Sequence, residues 1–287
     1  MKNKLKFSIG ILSWKGYSSL NNSLKSYQIN GLSRLSTSRF ICLPEYNDKG
    51  IQLSKKFGYK PILFKTNIGI LDGFKNLALN MPDGPLLLLE NDLPLIENDR
   101  ITYTLLKSSI ENLYKYNAAQ VRLRSIKDPG DPFHALKKYT SYWESGMTNK
   151  LKRFFRPFKA KKLIGTGIYV EKKPHLKFTK HINELKNGSY LISSEIMNWS
   201  NLAILVDKNF FLNVIIKEAE NTQNTIDVLL GISWIICLAA PLLSIVMMVY
   251  GFAVSGAKAM GVGATVALVS YPVIGFFGCI AVMAGGW

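Results

Sequence analysis

The sequence predicts an α/β domain built on a mostly parallel sheet, followed by a helical hairpin of membrane-spanning length. Short apolar runs alternate with amphipathic stretches over the first 90 residues, the order in which a parallel sheet is wound. The run PLLLLENDLPL at 85–95 is continuously apolar before it turns acidic, as a strand covered on both faces requires. Charge then all but disappears after Ile226, where the last 62 residues contain only Asp227 and Lys258.

Residues 7–13 (FSIGILS) form the first predicted strand, and the polar turn after them leads into a helix with Leu20 and Leu24 on one face. Residues 39–43 (RFICL) form the second, closing in PEYNDKG, and IQLSKKFG is a helix stopped by Gly58. Residues 61–64 (PILF) are the third. The segment NIGILDGFKNLALNMPDG supplies a glycine-containing loop, a helix and a turn at Pro82, Asp83 and Gly84. The opening leucines of PLLLLENDLPL are the fourth strand. Beyond Asp99 the pattern predicts a helix through TLLKSSIENLYKYN and a strand AQVRLRS. A long irregular basic region to Lys162 and a strand LIGTGIYVEKK follow. Neither an internal repeat nor a low-complexity segment occurs.

The chain of 287 residues carries a formal net charge of +17, all of it in residues 1–225. A basic surface suits nucleic acid, an anionic membrane or phosphorylated small molecules, and charge alone does not choose among them. The tail does. Residues 228–254 run 27 positions without a charge, more than the roughly 20 a helix needs to cross a bilayer, and residues 262–284 supply a second uncharged span after the link SGAKAMG. The expected domains are therefore 1–222, globular, and 223–287, a membrane anchor of two helices. Basic residues favour the cytoplasmic side, which places the globular domain and both termini inside. The N-terminus, with its short apolar core broken by Lys15, reads as a strand rather than a signal peptide. Three cysteines, Cys42, Cys237 and Cys279, show no disulfide framework or zinc spacing, which suits a reducing compartment.

Ligands of parallel α/β sheets bind beyond the carboxyl ends of the strands, so Glu90 and Asp92 stand where such a sheet presents its ligand. Carboxylates at i and i+2 can face one divalent cation if the backbone bends between them. Oxygen ligands with few protein contacts suit Mg²⁺ or Mn²⁺, and such an ion can bridge a diphosphate and stabilise its departure. The same acids, with Glu97 and Asp99, are also compatible with a solvated polar loop.

Four segments in order, ILSWKGYSSLNNSLKSY, RFICLPEYND, NIGILDGFKNLAL and LLLLEND, resemble the nucleotide-binding half of family 2 glycosyltransferases, which have the GT-A fold. The resemblance covers residues 7 to about 95. It implies that Ser13 and Trp14 line a nucleotide pocket through their backbone and that Glu45 meets the base or ribose. Asn67, Gly69 and Asn76 match the family's loop, and Glu90 and Asp92 its metal motif. Glutamates at 45 and 90 replace the usual aspartates, and the interval from Asn67 to Asn76 is one residue longer than is common. Inverting members take the acceptor's proton with a carboxylate from the second half. Glu195 stands at about the expected distance along the chain, with Glu171 behind it, although an ordinary exposed glutamate is the plainer reading of Glu195. Trp199 is compatible with stacking on a sugar or with a core position. No Q-x-x-R-W motif of processive synthases occurs, which implies one sugar per encounter.

Residues 150–162, KLKRFFRPFKAKK, combine seven basic residues with three phenylalanines. That mixture fits an anionic membrane surface or single-stranded nucleic acid, and the uncharged tail weighs toward the membrane. Three function classes follow. The first is a membrane-anchored glycosyltransferase moving a sugar from a nucleotide-diphosphate donor to a membrane-proximal acceptor, lipid-linked or a surface glycan; its layout is similar to that of polyprenyl-phosphate glycosyltransferases. The second is a non-catalytic membrane-anchored nucleotide-sugar-binding or assembly protein. The third, least favoured, is a membrane-tethered nucleic-acid-binding protein.

Overall fold

A computed structural model describes residues 4–125, 134–197 and 203–222. The chain divides into two units, Met1–Lys217 and Glu218–Trp287, and every element named below belongs to the first. Both expected membrane spans, and Trp199, lie outside the described residues; among the described residues no helix is long and apolar enough to cross a membrane.

From the N-terminus the chain runs through β1 (Ser8–Leu12), α1 (Tyr17–Ile29), α2 (Leu32–Leu35), β2 (Ser38–Leu43), α3 (Asp48–Lys56), β3 (Lys60–Leu63), α4 (Gly69–Asn80) and β4 (Pro85–Glu90). Next come α5 (Asp99–Lys115), the short β5 (Val121–Arg122), α6 (His134–Trp143), α7 (Met147–Phe155) and α8 (Pro157–Leu163). A 3-10 helix (Ile164–Tyr169), α9 (Pro174–Lys177), a hairpin of β6 (Ile182–Glu184) and β7 (Tyr190–Ile192), and a 3-10 turn (Ser194–Ile196) lead to β8 (Ile204–Asp207). There α10 (Lys208–Phe210) runs straight into a π-helical stretch, Phe211–Ile216.

Six strands form one mostly parallel sheet in the order β3-β2-β1-β4-β8-β5. Strands β1 to β4 are parallel, with Leu12 beside Cys42 on one side and Glu90 on the other. Strand β8 is antiparallel to both its neighbours, pairing Leu88 with Ile204 and Leu205 with Val121.

Side chains on a strand alternate between its two faces, and here both faces are covered. Ile9, Ile11, Ile41, Leu43, Leu87, Leu89 and Leu205 join Leu20, Leu24 and Tyr27 of α1 and Leu106 and Leu113 of α5. On the opposite face Leu12, Cys42, Leu86, Leu88, Ile204 and Val206 meet Phe74 and Leu77 of α4, with Phe211 and Ile216. The uninterrupted leucines of β4 thus serve two cores. Helix α4 lies close on β1, since a Cβ added at Gly73 would stand 2.5 Å from Leu12 Cδ1. Asn98 caps α5 by accepting from the N–H groups of Arg100 and Ile101, which starts that helix five residues ahead of the predicted segment.

Three expectations need correction. Over its described residues, 134–162, the basic region is not irregular but forms α6, α7 and α8, and Tyr139 of α6 joins a separate small core with Ile164, Phe178, Ile182 and Ile196. The segment expected as a strand, LIGTGIYVEKK, instead contains the 3-10 helix Ile164–Tyr169. Its Gly165 fits tightly against the residues after β7: a Cβ there would meet Met197 Cγ at 2.3 Å. The strand AQVRLRS shrinks to Val121–Arg122 because β8 is its one partner in the sheet.

Candidate functional site

The parallel register brings the carboxyl ends of β1, β2 and β4 level. Leu12, Cys42 and Glu90 lie side by side, and the chain leaves the sheet at Ser13, Pro44 and Asn91. Ser13 is buried, its N–H donates to the Cys42 carbonyl at 3.0 Å, and its Oγ has no hydrogen-bond partner. A buried hydroxyl without a partner is costly in a finished core and ordinary beside a ligand site.

Trp14 is 51% exposed and tied to the β2 end: its indole N–H donates to Glu45 Oε2 at 3.0 Å. Lys15 reaches the same oxygen at 3.0 Å and lies 5.1 Å above the Trp14 ring. The Trp14 hydrogen bond, then Lys15, holds the Glu45 carboxyl below the usual range, so it is an acceptor at neutral pH. Lys15 takes a left-handed backbone conformation, φ 56°, which turns the chain sharply after β1.

The β3 loop is closed by Asn67, whose Oδ1 accepts from the Gly69 N–H at 2.9 Å, and Gly69 supplies φ 78° where α4 begins. Asn76 lies two turns into that helix, with its amide donating to the Asp72 carbonyl. It is therefore a helix-surface residue rather than part of the turn. Packing of Gly73 on Leu12 carries the start of α4 to the end of β1.

After β4 the chain turns at Asn91 and Asp92 and then runs along α1, alternating half-buried Asn91, Leu93 and Leu95 with exposed Asp92, Pro94 and Ile96. The inward residues are pinned through the backbone: Ser23 donates to the Asn91 carbonyl, Tyr27 to Leu93 and Asn30 to Leu95, and Ser26 Oγ accepts from the Leu95 N–H. The Asn91 amide also donates to the Gly16 carbonyl at 3.2 Å, which joins the β4 and β1 loops. These anchors were missed by the motif reading, yet a signal exists. Ser23, Ser26, Tyr27 and Asn30 follow the 3-1-3 spacing of one helix face, a polar stripe beside the apolar one.

Burial, and then the charge of Asp92, raise the Glu90 carboxyl above its usual range. A divalent cation between the two acids would offset both effects, so this donor pair fits Mg²⁺ or Mn²⁺. Among the described residues no three His, Cys, Asp or Glu side chains gather to hold a metal by themselves.

The second half contributes differently. Glu195 is exposed and paired with Lys161 of α8 at 2.6 Å, which holds its carboxyl below the usual range. Its side chain is thus tied to α8, and its N–H donates to Ser193 Oγ at 3.4 Å. Glu171 accepts from Tyr139 and from Lys177, both at 2.6 Å. Burial pushes its carboxyl up, but these two donors outweigh that and leave it lowered.

No protein-family model and no curated protein matches this chain.

Proposed function

We propose that the chain is a membrane-anchored glycosyltransferase with a GT-A-like domain, moving one sugar at a time from a nucleotide diphosphate to a membrane-proximal acceptor. The reading is supported above all by convergence. Residues singled out on separate segments, Ser13 and Trp14, Glu45, Asn67 and Gly69, and Glu90 and Asp92, all lie at or after the carboxyl ends of β1 to β4 in a sheet whose order begins β3-β2-β1-β4. That edge is where open α/β sheets hold nucleotides.

In this reading the Ser13–Trp14 backbone and the ionised Glu45 hold the base and ribose. Glu90 and Asp92 hold Mg²⁺ or Mn²⁺, whose chemistry is to neutralise charge on the departing diphosphate. The α1 ladder positions Asp92 by fixing its neighbours on both sides. Glu195 is the candidate for the acceptor's base; its ion pair with Lys161 makes it a weak one until an acceptor displaces the lysine. The two uncharged spans would keep the enzyme on the surface that carries its acceptor, raising their effective concentration.

The test is a screen of nucleotide sugars for metal-dependent release of nucleotide diphosphate. Asp92→Ala should lower the rate by roughly 100-fold or more, the scale of losing one electrostatic stabiliser of a leaving group. Equal rates for wild type and variant would end the metal role, and nucleotide binding without turnover would favour the non-catalytic class.

A further inference from the structure

Helix α7 is built inside out. On an ordinary surface helix the apolar stripe faces the core and the charges face water. Here Met147, Leu151, Phe154 and Phe155 fall at i, i+4, i+7 and i+8 on one face, yet no residue of α7 is buried. Phe154 is 77% exposed and Phe155 74%, packed edge-on against each other with centroids 5.4 Å apart. The attachment to the protein comes from basic residues: Arg153 donates to the Tyr142 carbonyl and lies over the Trp143 ring at 5.0 Å, while Lys152 reaches the Ser141 carbonyl at 3.4 Å. Phe158, at the start of α8, is 85% exposed.

We infer that the α7–α8 face, with Phe154, Phe155 and Phe158 leading, inserts into the headgroup region of an anionic lipid bilayer. Charge complementarity selects that occupant. Residues 147–163 contain seven Lys or Arg and no acid, and along the chain exposed Lys150 and Lys162 flank the three rings with exposed Arg156 between them. Protruding apolar groups flanked by cations match an interface in which acyl chains lie beneath phosphates. The same helix turned the usual way would have its apolar stripe against α6. Cation contacts to α6 take that place and leave the stripe outward. The inference extends the membrane setting proposed above but does not need the transfer chemistry. It gives the domain its own contact with the bilayer, separate from any anchor in residues 223–287.

The test uses the full chain reconstituted in vesicles with no nucleotide sugar present, so loss of transfer activity would leave the result untouched. An environment-sensitive label is placed through Phe158→Cys, after Cys42, Cys237 and Cys279 are changed to alanine; a control label is placed through Lys49→Cys on α3. Bromolipid should quench the label at position 158 at least about twofold more in vesicles containing phosphatidylglycerol than in pure phosphatidylcholine, because the cationic contribution needs an anionic surface. The control label should not respond. Phe154→Ser with Phe155→Ser should abolish the quenching, and Lys150→Glu with Arg156→Glu should remove its dependence on anionic lipid. A label at 158 no more quenched than the control in either vesicle overturns the inference. So does displacement of the label from the bilayer by oligonucleotide, or its shielding by self-association in detergent without quenching in vesicles.

Discussion

The sheet region and the helical region of residues 134–197 are held together by different physics. In the sheet, positions are set by parallel register and by two apolar cores with a strand's alternation between them. In the helical region one small core is supplemented by named polar contacts: Lys161 with Glu195, Tyr139 and Lys177 with Glu171, and Arg153 with the α6 backbone. The difference separates duties. The site proposed at the strand ends would be placed first by strand register, with the Lys15–Glu45 ion pair added to it, whereas the helical region depends on several contacts that respond to salt and pH.

Breaking the sheet should produce the largest effect. Leu88 is fully buried between β1 and β8, so Leu88→Ala should cost about 2–5 kcal/mol in a urea titration, while Phe155→Ala on the exposed face of α7 should change the midpoint by less than about 0.5 kcal/mol. A cost for Phe155→Ala near that of Leu88→Ala would abolish the distinction. Gly73→Val comes next, because its branches must displace Leu12 and lift α4 from β1. About 1–3 kcal/mol of overpacking is expected, together with weaker nucleotide binding by calorimetry.

The smallest effect sharpens the comparison through its pH dependence. Glu171 has a lowered carboxyl in the folded chain, so the stability it contributes is present above the unfolded value of about 4.3 and is lost as pH falls through the folded one. Glu171→Gln should therefore lower the urea midpoint at pH 7 and approach the wild type near pH 3. The loss from Leu88→Ala should be similar at both.

Much of the sheet was legible in the sequence because burial on two faces leaves a plain mark. LLLL in β4 and FSIGIL in β1 have almost no alternative use, and Gly58 marks a helix end through its backbone conformation, whereas the cap at Asn98 was passed over. That Glu90 and Asp92 stand at a strand end was legible for the same reason, since the apolar run stops where the strand does, while Ser13, Trp14, Glu45, Asn67 and Gly69 came from the resemblance alone. The region from 134 to 197 was not, because its helices are short and polar and take their positions from distant partners. LIGTGIYVEKK has the composition of a strand, and what overrides it is the fit of Gly165 against Met197, 32 residues later. Lys15 was passed over for a similar reason: its pairing with Glu45 depends on a turn that no local pattern announces.

The antiparallel strand β8 gives the molecule an order of assembly. It slots between β4 and β5, yet it is encoded after the whole helical region. During synthesis β4 therefore keeps one unpaired edge until residue 207 has left the ribosome, while β5 waits for the same partner. A nascent chain stalled before Ile204 holds the carboxyl ends of β1 to β4 on a sheet that is still open, and termination there should yield a sticky fragment rather than a smaller folded domain.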